Sequence, residues 1–452
     1  MFRPPSVVFS LLRRIPMAAC LLLLTTRANA QTDSTSINGA DTCWVLISAA
    51  LVLLMTPGLA LFYGGMVRGK NVLGTMVQSM VAMGVVAMQW VICGYSLAFG
   101  PDFNHLGIIG NLRWFGLEHV GLLPNADYSA TIPAMAFMIY QCMFAIITPA
   151  LITGAFAERM KFSTYLVFTL LWATLVYDPI AHWVWGSGGW LHAKGAMDFA
   201  GGIVVHVSSG YAALVCALVI GRRRGFGTQE MRPHNLIWTI LGTGLLWFGW
   251  FGFNAGSALA ANGIAVLAFA NTNMAAAAAG LTWMFLEWVL RGKPTALGMV
   301  SGAVAGLAGV TPAAGFVGIP AAIFIGIGAG ALCYWAVALK PRFGYDDSLD
   351  TFGVHGISGT WGALAIGLFA EFSLNGVTLP GAREANGLLF GGGFHQLACQ
   401  AEAILFCGVY ALAATFIILK VLDATMGLRM TKDDEDTGMD LTQHGEEAYL
   451  PG

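Results

Sequence analysis

Two imidazoles sit in runs otherwise fit for lipid. His206 lies within DFAGGIVVHVSSGYAALVCALVI (198–220) and His355 within DTFGVHGISGTWGALAIGLFA (350–370). An ionisable side chain at membrane depth is costly, so it faces a cavity or a bundle interior and marks a functional site by default. Imidazole can be neutral near pH 7 while it both donates and accepts hydrogen bonds. Two of them in separate spans point to a lined path for a small, weakly basic, hydrogen-bonding solute. Asp198 precedes Phe199-Ala200-Gly201-Gly202, where its carboxylate can cap a helix N-terminus and also attract or orient a cation. Trp185, in HWVWGSGG (182–189), and the run WFGWFGFNAGS (247–257) end two spans on one side. Aromatic residues at a span end commonly form an interfacial belt. Here the glycines, Asn254 and Ser257 fit a surface that faces protein instead. An indole face attracts a cation by about 0.5–2 kcal/mol. Phe144, in YQCMFA (140–145), reads by periodicity as a packed core aromatic. No HExxH motif, carboxylate-rich set or CxxC with a matching His pair is present, so neither a zinc site, a metal enzyme nor a bound cofactor is expected.

The elements that must position these groups are membrane spans. Of 452 residues, 57% are hydrophobic and 10% charged, against about 25% charged in a soluble domain, and mean hydropathy is +0.70. The formal charge of −2, with no long basic patch, gives no ground for a nucleic-acid partner. Most of the eight cysteines fall in apolar runs and read as small hydrophobes. Arg3, Arg13 and Arg14, the apolar run Ile15 to Leu24 and Ala28-Asn29-Ala30 read as a signal peptide over 1–30 with Gln31 as mature start. Eleven later runs can each cross a bilayer: 42–64, 72–99, 131–156, 163–183, 199–220, 235–256, 262–290, 296–314, 318–339, 354–372 and 398–422. Of the 22 Lys and Arg residues, fifteen fall in loops and tail on one side, three (Arg113, Lys194, Arg383) on the other, and four before residue 31. That bias predicts the mature N-terminus outside and the C-terminus inside. Gly298, Gly302 and Gly306, at every fourth position, fit close helix contacts.

The runs divide into two halves of five, so the second half is inverted relative to the first. The fifth span opens with Asp198-Phe-Ala-Gly-Gly, and the tenth opens after Asp350-Thr-Phe-Gly. Inverted repeats place the site near the midplane. Hydropathy, however, sets His206 about two turns from the outer face and His355 near the inner face. The two meet only if both helix starts are recessed into the bundle. The charged residues from Thr431 onward read as a solvated cytoplasmic tail, disordered when free.

Several stretches closely resemble the ammonium transporter family, the Amt/Mep/Rh superfamily and its bacterial Amt branch. They are FYGGMVRGKN (62–71), GAFAERMKF (154–162), HWVWGSGG, GAMDFAGGIVVH (195–206), GWFGFNAGSA (249–258), NTNMAAAAAGLTWMFLEW (271–288), LRGKPTALG (290–298), SGAVAGLAGVTPAAGFV (301–317), DTFGVHG (350–356) and GLRMTKDDEDTGMDLTQHGEEAY (427–449). The resemblance runs from about residue 40 to the end. It implies an all-α polytopic fold of eleven transmembrane helices, as a pseudo-twofold inverted 5+5 repeat plus one helix. The transporter domain would span 31–426 and the cytoplasmic tail 427–452, with one pore per subunit of a homotrimer in the inner membrane. His206 and His355 would be the twin pore histidines. Phe144, Trp185 and Ser257 would form the outer ammonium site, Phe144 and Phe253 the stacked gate, and Asp198 the aspartate important for conduction. Gln141 and Trp250 match positions beside the pore. A PII signalling protein would dock on the cytoplasmic face. The implied activity is non-enzymatic conduction of ammonium or ammonia in nitrogen metabolism. Ammonium sensing through the tail is the alternative, and the aromatic site at Trp185 argues against a neutral gas channel of the Rh type.

Overall fold

Long apolar runs leave backbone N–H and C=O groups no solvent partner inside a bilayer, and helices satisfy them within the segment. The structure, a computed structural model, describes residues 37–449. The signal peptide over 1–30 and its cleavage after Ala30 lie outside the described residues. Ten described helices are long and apolar enough to cross a membrane: α1 (Gly39–Met66), α2 (Gly69–Phe99), α3 (Ala134–Phe156), α4 (Phe162–Lys194), α5 (Gly202–Ile220), α6 (Leu236–Ala258), α7 (Gly263–Arg291), α9 (Ile319–Phe343), α10 (Phe352–Phe369) and α11 (His395–Thr425). A shorter apolar helix, α8 (Ala296–Val310), completes the eleven. The fold is an all-α polytopic membrane protein, and the loops among the described residues carry two short two-stranded hairpins, β1 (Pro124–Asn125) with β2 (Ser129–Pro133) and β3 (Thr378–Leu379) with β4 (Arg383–Glu384).

The two halves reuse the same devices. Asn38 caps α1 through Ala40 N and Asp41 N, and Asn235 caps α6 through Ile237 N and Trp238 N. These first helices of the two halves cross at small residues. A Cβ on Gly58 would stand 3.1 Å from Leu245 Cβ, and one on Gly242 only 2.4 Å from Phe62 N. The expected close contact of α8 is made with α7: a Cβ on Gly306 would lie 2.5 Å from Ala275 O. Helices α5 and α10 both open as π-helical turns, over Gly202–Val207 and Phe352–Gly356, and each turn carries its half's histidine.

A carboxylate holds each of these turns, but not quite as the sequence reading had it. Asp198 lies eight residues before His206. Eight residues before His355 is Asp347, not Asp350. Asp198 Oδ2 accepts from Ile203 N at 2.8 Å, five positions on, and Asp347 Oδ2 accepts from Phe352 N at 2.8 Å, again five on. Asp350 instead sits at φ 60° and pairs with Lys340.

The tail departs from expectation. Residues 427–449 do not float; they dock on their own chain as α12 (Lys432–Thr437) and a π-helical turn, α13 (Asp440–His444). Lys161 N donates to Leu428 O at 3.0 Å and Met430 N to Arg159 O at 2.9 Å, in a short strand-like bridge. Lys70 Nζ donates to Glu435 O at 2.7 Å, and Arg429 pairs with Glu435. The α-helical part of α2, which starts at Val72, receives no side-chain cap from Asn71. Asp440 supplies one from the tail, accepting from Gly74 N at 2.8 Å, while Asn71 Oδ1 accepts from Met439 N at 2.8 Å. Of the acidic side chains that composition assigns to solvent, Glu435 is matched to Arg429, Asp436 to Arg224 and Asp440 to a helix N-terminus. Asp440→Ala is expected to weaken docking by about 1 kcal/mol and to open the tail to limited proteolysis. A digestion pattern like that of the wild type would contradict this capping role.

Beneath the tail lies a buried ion cluster. Arg159 and Asp346 have fully buried side chains 3.0 Å apart, and Arg223 reaches Asp346 at 2.9 Å. Burial pushes the Asp346 carboxyl up, but the Arg223 hydrogen bond and both guanidiniums outweigh it and hold it below the usual carboxylate range. This stabilisation is complete above about pH 4 and is lost as pH falls below that.

Candidate functional site

Three cavities follow one another through the bundle. On the face that carries Trp185, a cavity of about 210 Å³ is lined by Gln141, Phe144, Trp185, Asp198 and Ser257 among others. At the centre is a space of about 10 Å³ bounded by Phe253, Trp250, His206 and His355, close to the room one water needs. On the tail face, a cavity of about 390 Å³ reaches up to His355 past Tyr63, Glu287 and Asp350.

The first cavity is built from three helix ends. Helix α4 breaks at Gly186, leaving Trp185 at the cavity rim, and the Trp185 indole donates to Asp198 O at 2.8 Å. The Phe144 ring stands perpendicular to it at 6.0 Å. Ser257 lies on the 3-10 turn that closes α6 and donates to Phe253 O at 2.9 Å. Tyr140 Oη lies 2.9 Å from both Gly252 O and Phe253 O and 3.2 Å from Ser257 Oγ. Both hydroxyl protons have carbonyl acceptors, so Ser257 Oγ keeps lone pairs for a donor in the cavity. Asp198 receives Gly201 N at 2.9 Å and Gly202 N at 2.6 Å on one oxygen, and Ile203 N at 2.8 Å and Val204 N at 3.0 Å on the other. Gly201 stands at φ 116°, a conformation open to glycine, which lets the chain wrap the carboxylate.

Phe144 and Phe253 close the floor of this cavity, with ring centroids 4.4 Å apart and both rings buried. Below them the His206 and His355 rings are nearly parallel at 5.2 Å, and Trp250 lies 5.5 Å from His206. Trp250 turns its N–H away, to Thr311 Oγ1 at 2.8 Å. Both ring nitrogens of His206 and Nδ1 of His355 are buried without a protein partner. The depth conflict is resolved by close backbone approach. A Cβ on Gly210 would lie 2.3 Å from Gly356 Cα, and one on Gly359 2.9 Å from His206 Cβ. The two recessed helix starts thus meet at the histidines.

All nine residues singled out in the sequence line this axis or its wall. Tyr140, Thr311 and Asp347 were not singled out. Tyr140 carried a signal, since it lies four residues before Phe144 and so shares its helix face. Thr311 and Asp347 gave none, because their partners are more than sixty residues away or emerge only from the repeat. Among the described residues, no group of three or more His, Cys, Asp or Glu is placed to hold a metal ion.

Residues 43–449 match the family model described as the Ammonium Transporter Family. The chain belongs to the ammonium transporter family. It is 54% identical over 410 residues to the ammonium transporter of Bacillus subtilis, covering 90% of this chain and 98% of that one. To ammonium transporter Amt1 of Archaeoglobus fulgidus it is 46% identical over 413 residues, covering 91% and 100%. Among solved structures, Saccharomyces cerevisiae Mep2 matches with a TM-score of 0.83 at 37% identity, covering 92% of this chain and 94% of that one. A structure described as a sensor Amt protein matches with a TM-score of 0.81 at 28% identity, covering 90% and 98%. Ammonium transport across a membrane is the activity this membership carries.

Proposed function

We propose that this ammonium transporter recruits ammonium at Trp185, Phe144 and Ser257, where water takes its proton, and conducts ammonia past His206 and His355. The carrying observation is the stacked histidine pair, with unpartnered ring nitrogens, between two cavities on opposite faces. Ammonium has four N–H donors and a full charge, and burying that charge bare costs far more than any protein contact returns. At the outer cavity the charge stays hydrated on one side, meets the π faces of Trp185 and Phe144 and donates to Ser257 Oγ. Phe144 and Phe253 exclude hydrated ions. Ammonia, once neutral, passes through a space of about 10 Å³ with imidazole nitrogens as its hydrogen-bonding wall. Potassium has no proton to shed and is rejected despite a similar size. Gln141 and Trp250 shape the walls, and Asp198 holds the helix start that presents His206. The test is uptake or ammonium-elicited current in reconstituted vesicles with a potassium control. Ammonium flux without potassium flux supports the reading, and equal flux of both overturns it.

Trp185→Leu removes the π face without adding charge. Uptake is expected to fall at low ammonium, by roughly the 0.5–2 kcal/mol of a cation–π contact, and to fall less at saturating ammonium. An equal loss at every concentration would mark a broken fold or pore.

The Trp185 face is read as outer and the tail face as cytoplasmic, in line with the basic residues gathered at Arg68, Lys70 and Arg222 to Arg224. The inner membrane and a homotrimer complete the reading, with a PII protein docking at the tail face, where three matched contacts reinforce one another. Pull-down from membranes with purified PII, across its nucleotide and 2-oxoglutarate states, is expected to retain the trimer. Failure in every state with the tail intact would exclude this partner. The second reading, a sensor, draws on the likeness to a sensor Amt protein and on the docked tail.

A further inference from the structure

The outer cavity holds one carboxylate that the transport path does not use. Asp127 and Asp198 both line it. Both Asp198 oxygens are engaged by four backbone N–H groups, so its charge is balanced by a helix start. Asp127 is exposed, and its carboxylate takes part in none of the ion pairs formed by the described residues.

Its position is fixed from several sides. Asp127 lies in the turn between β1 (Pro124–Asn125) and β2 (Ser129–Pro133), which pair antiparallel. Asn125 Oδ1 accepts from Asp127 N at 3.0 Å and closes the turn. The next residue, Tyr128, donates to Phe99 O at 2.5 Å and stacks on Phe137 at 4.8 Å. Ser187 N, two residues beyond Trp185, donates to Tyr128 Oη at 3.1 Å. The hairpin is thereby tied to the loop that carries the indole, and Asp127 is held at the rim of the cavity that Trp185 lines.

We propose that Asp127 is a recruiting carboxylate that raises the concentration of monovalent cations at the mouth, ahead of the aromatic site. This rests on the ammonium reading above. A carboxylate at the rim of a cleft attracts any small cation. It therefore contributes capture and no selectivity, which stays with the gate and the histidines below. A unit charge several ångströms away in water changes local cation occupancy by about two- to threefold at low ionic strength, and salt screens the effect.

The experiment is ammonium uptake into proteoliposomes carrying wild type, Asp127→Asn, Asp127→Glu or Trp185→Leu, at low and high choline chloride. Asp127→Asn is expected to raise KM by about two- to threefold at low salt, with the effect on KM rather than on saturated flux. The gap should close at high salt, and Asp127→Glu should restore the wild-type KM. A KM equal to wild type at low salt overturns the proposal, and so does a raised KM that persists at high salt, which marks a structural role. Where Trp185→Leu loses low-ammonium uptake and Asp127→Asn does not, Asp127 falls and the aromatic site stands. If the wild type carries no ammonium, both fall.

Discussion

His206→Ala and His355→Ala proteins are expected to fold, reach the membrane and lose control over what passes. Each imidazole is buried, stacked on its twin at 5.2 Å, and bound to no protein group through the nitrogens that face the path. Truncation therefore breaks no internal hydrogen bond of those nitrogens. It removes a wall from a space of about 10 Å³ and leaves ammonia without a partner at the narrowest point. One lost hydrogen bond, at about 0.5–1.5 kcal/mol, corresponds to as much as about a tenfold change in rate. The widened space also admits solvent, so potassium leakage should rise together with the change in ammonium flux. Flux assays with both cations in vesicles check this. Wild-type rates and wild-type exclusion of potassium in both variants would remove the histidines from the path.

Asp198→Ala should fail in a different way, by losing folded protein rather than flux. Four buried backbone N–H groups would lose their acceptor, at about 1–3 kcal/mol for each donor left unmet. Together these losses are comparable to a typical folding stability of about 5–15 kcal/mol. Asp198→Asn keeps one acceptor oxygen and should be intermediate. Size-exclusion profiles and thermal unfolding of the solubilised variants read this directly. A monodisperse Asp198→Ala protein with the wild-type midpoint and low flux would move Asp198 from capping to handling the cation.

Much of this arrangement is legible in the residues. Continuous apolar runs place all eleven helices, because a helix that crosses a bilayer needs about 20 apolar residues, with α8 shorter at 15 residues. Most ends shift by a few residues, as at His395–Thr425 against 398–422, since caps such as Asn38 lie outside the hydropathy signal, while α4 runs to Lys194 and not to 183. The two histidines stand out because charge is rare at that depth. Phe144 does not stand out, since periodicity gives a pore aromatic and a core aromatic the same pattern; it rested on resemblance. The meeting of His206 with His355 depends on π-helical starts and glycine contacts that hydropathy does not encode. The match of Asp347 to Asp198 was hidden by Asp350, the nearer acidic residue. The docked tail was missed because composition counts its charges and not their partners.

Asp440 capping α2 has a consequence for how the protein is made. The acceptor for Gly74 N is supplied 366 residues downstream. Synthesis runs from the N-terminus, so α2 waits without this contact until Asp440 has emerged. Every product stopped short of Asp440, by a premature stop codon or by a protease, carries an open helix start beside Lys70. Asp440 thus acts as a late seal on α2, and a product without it presents an uncapped helix start.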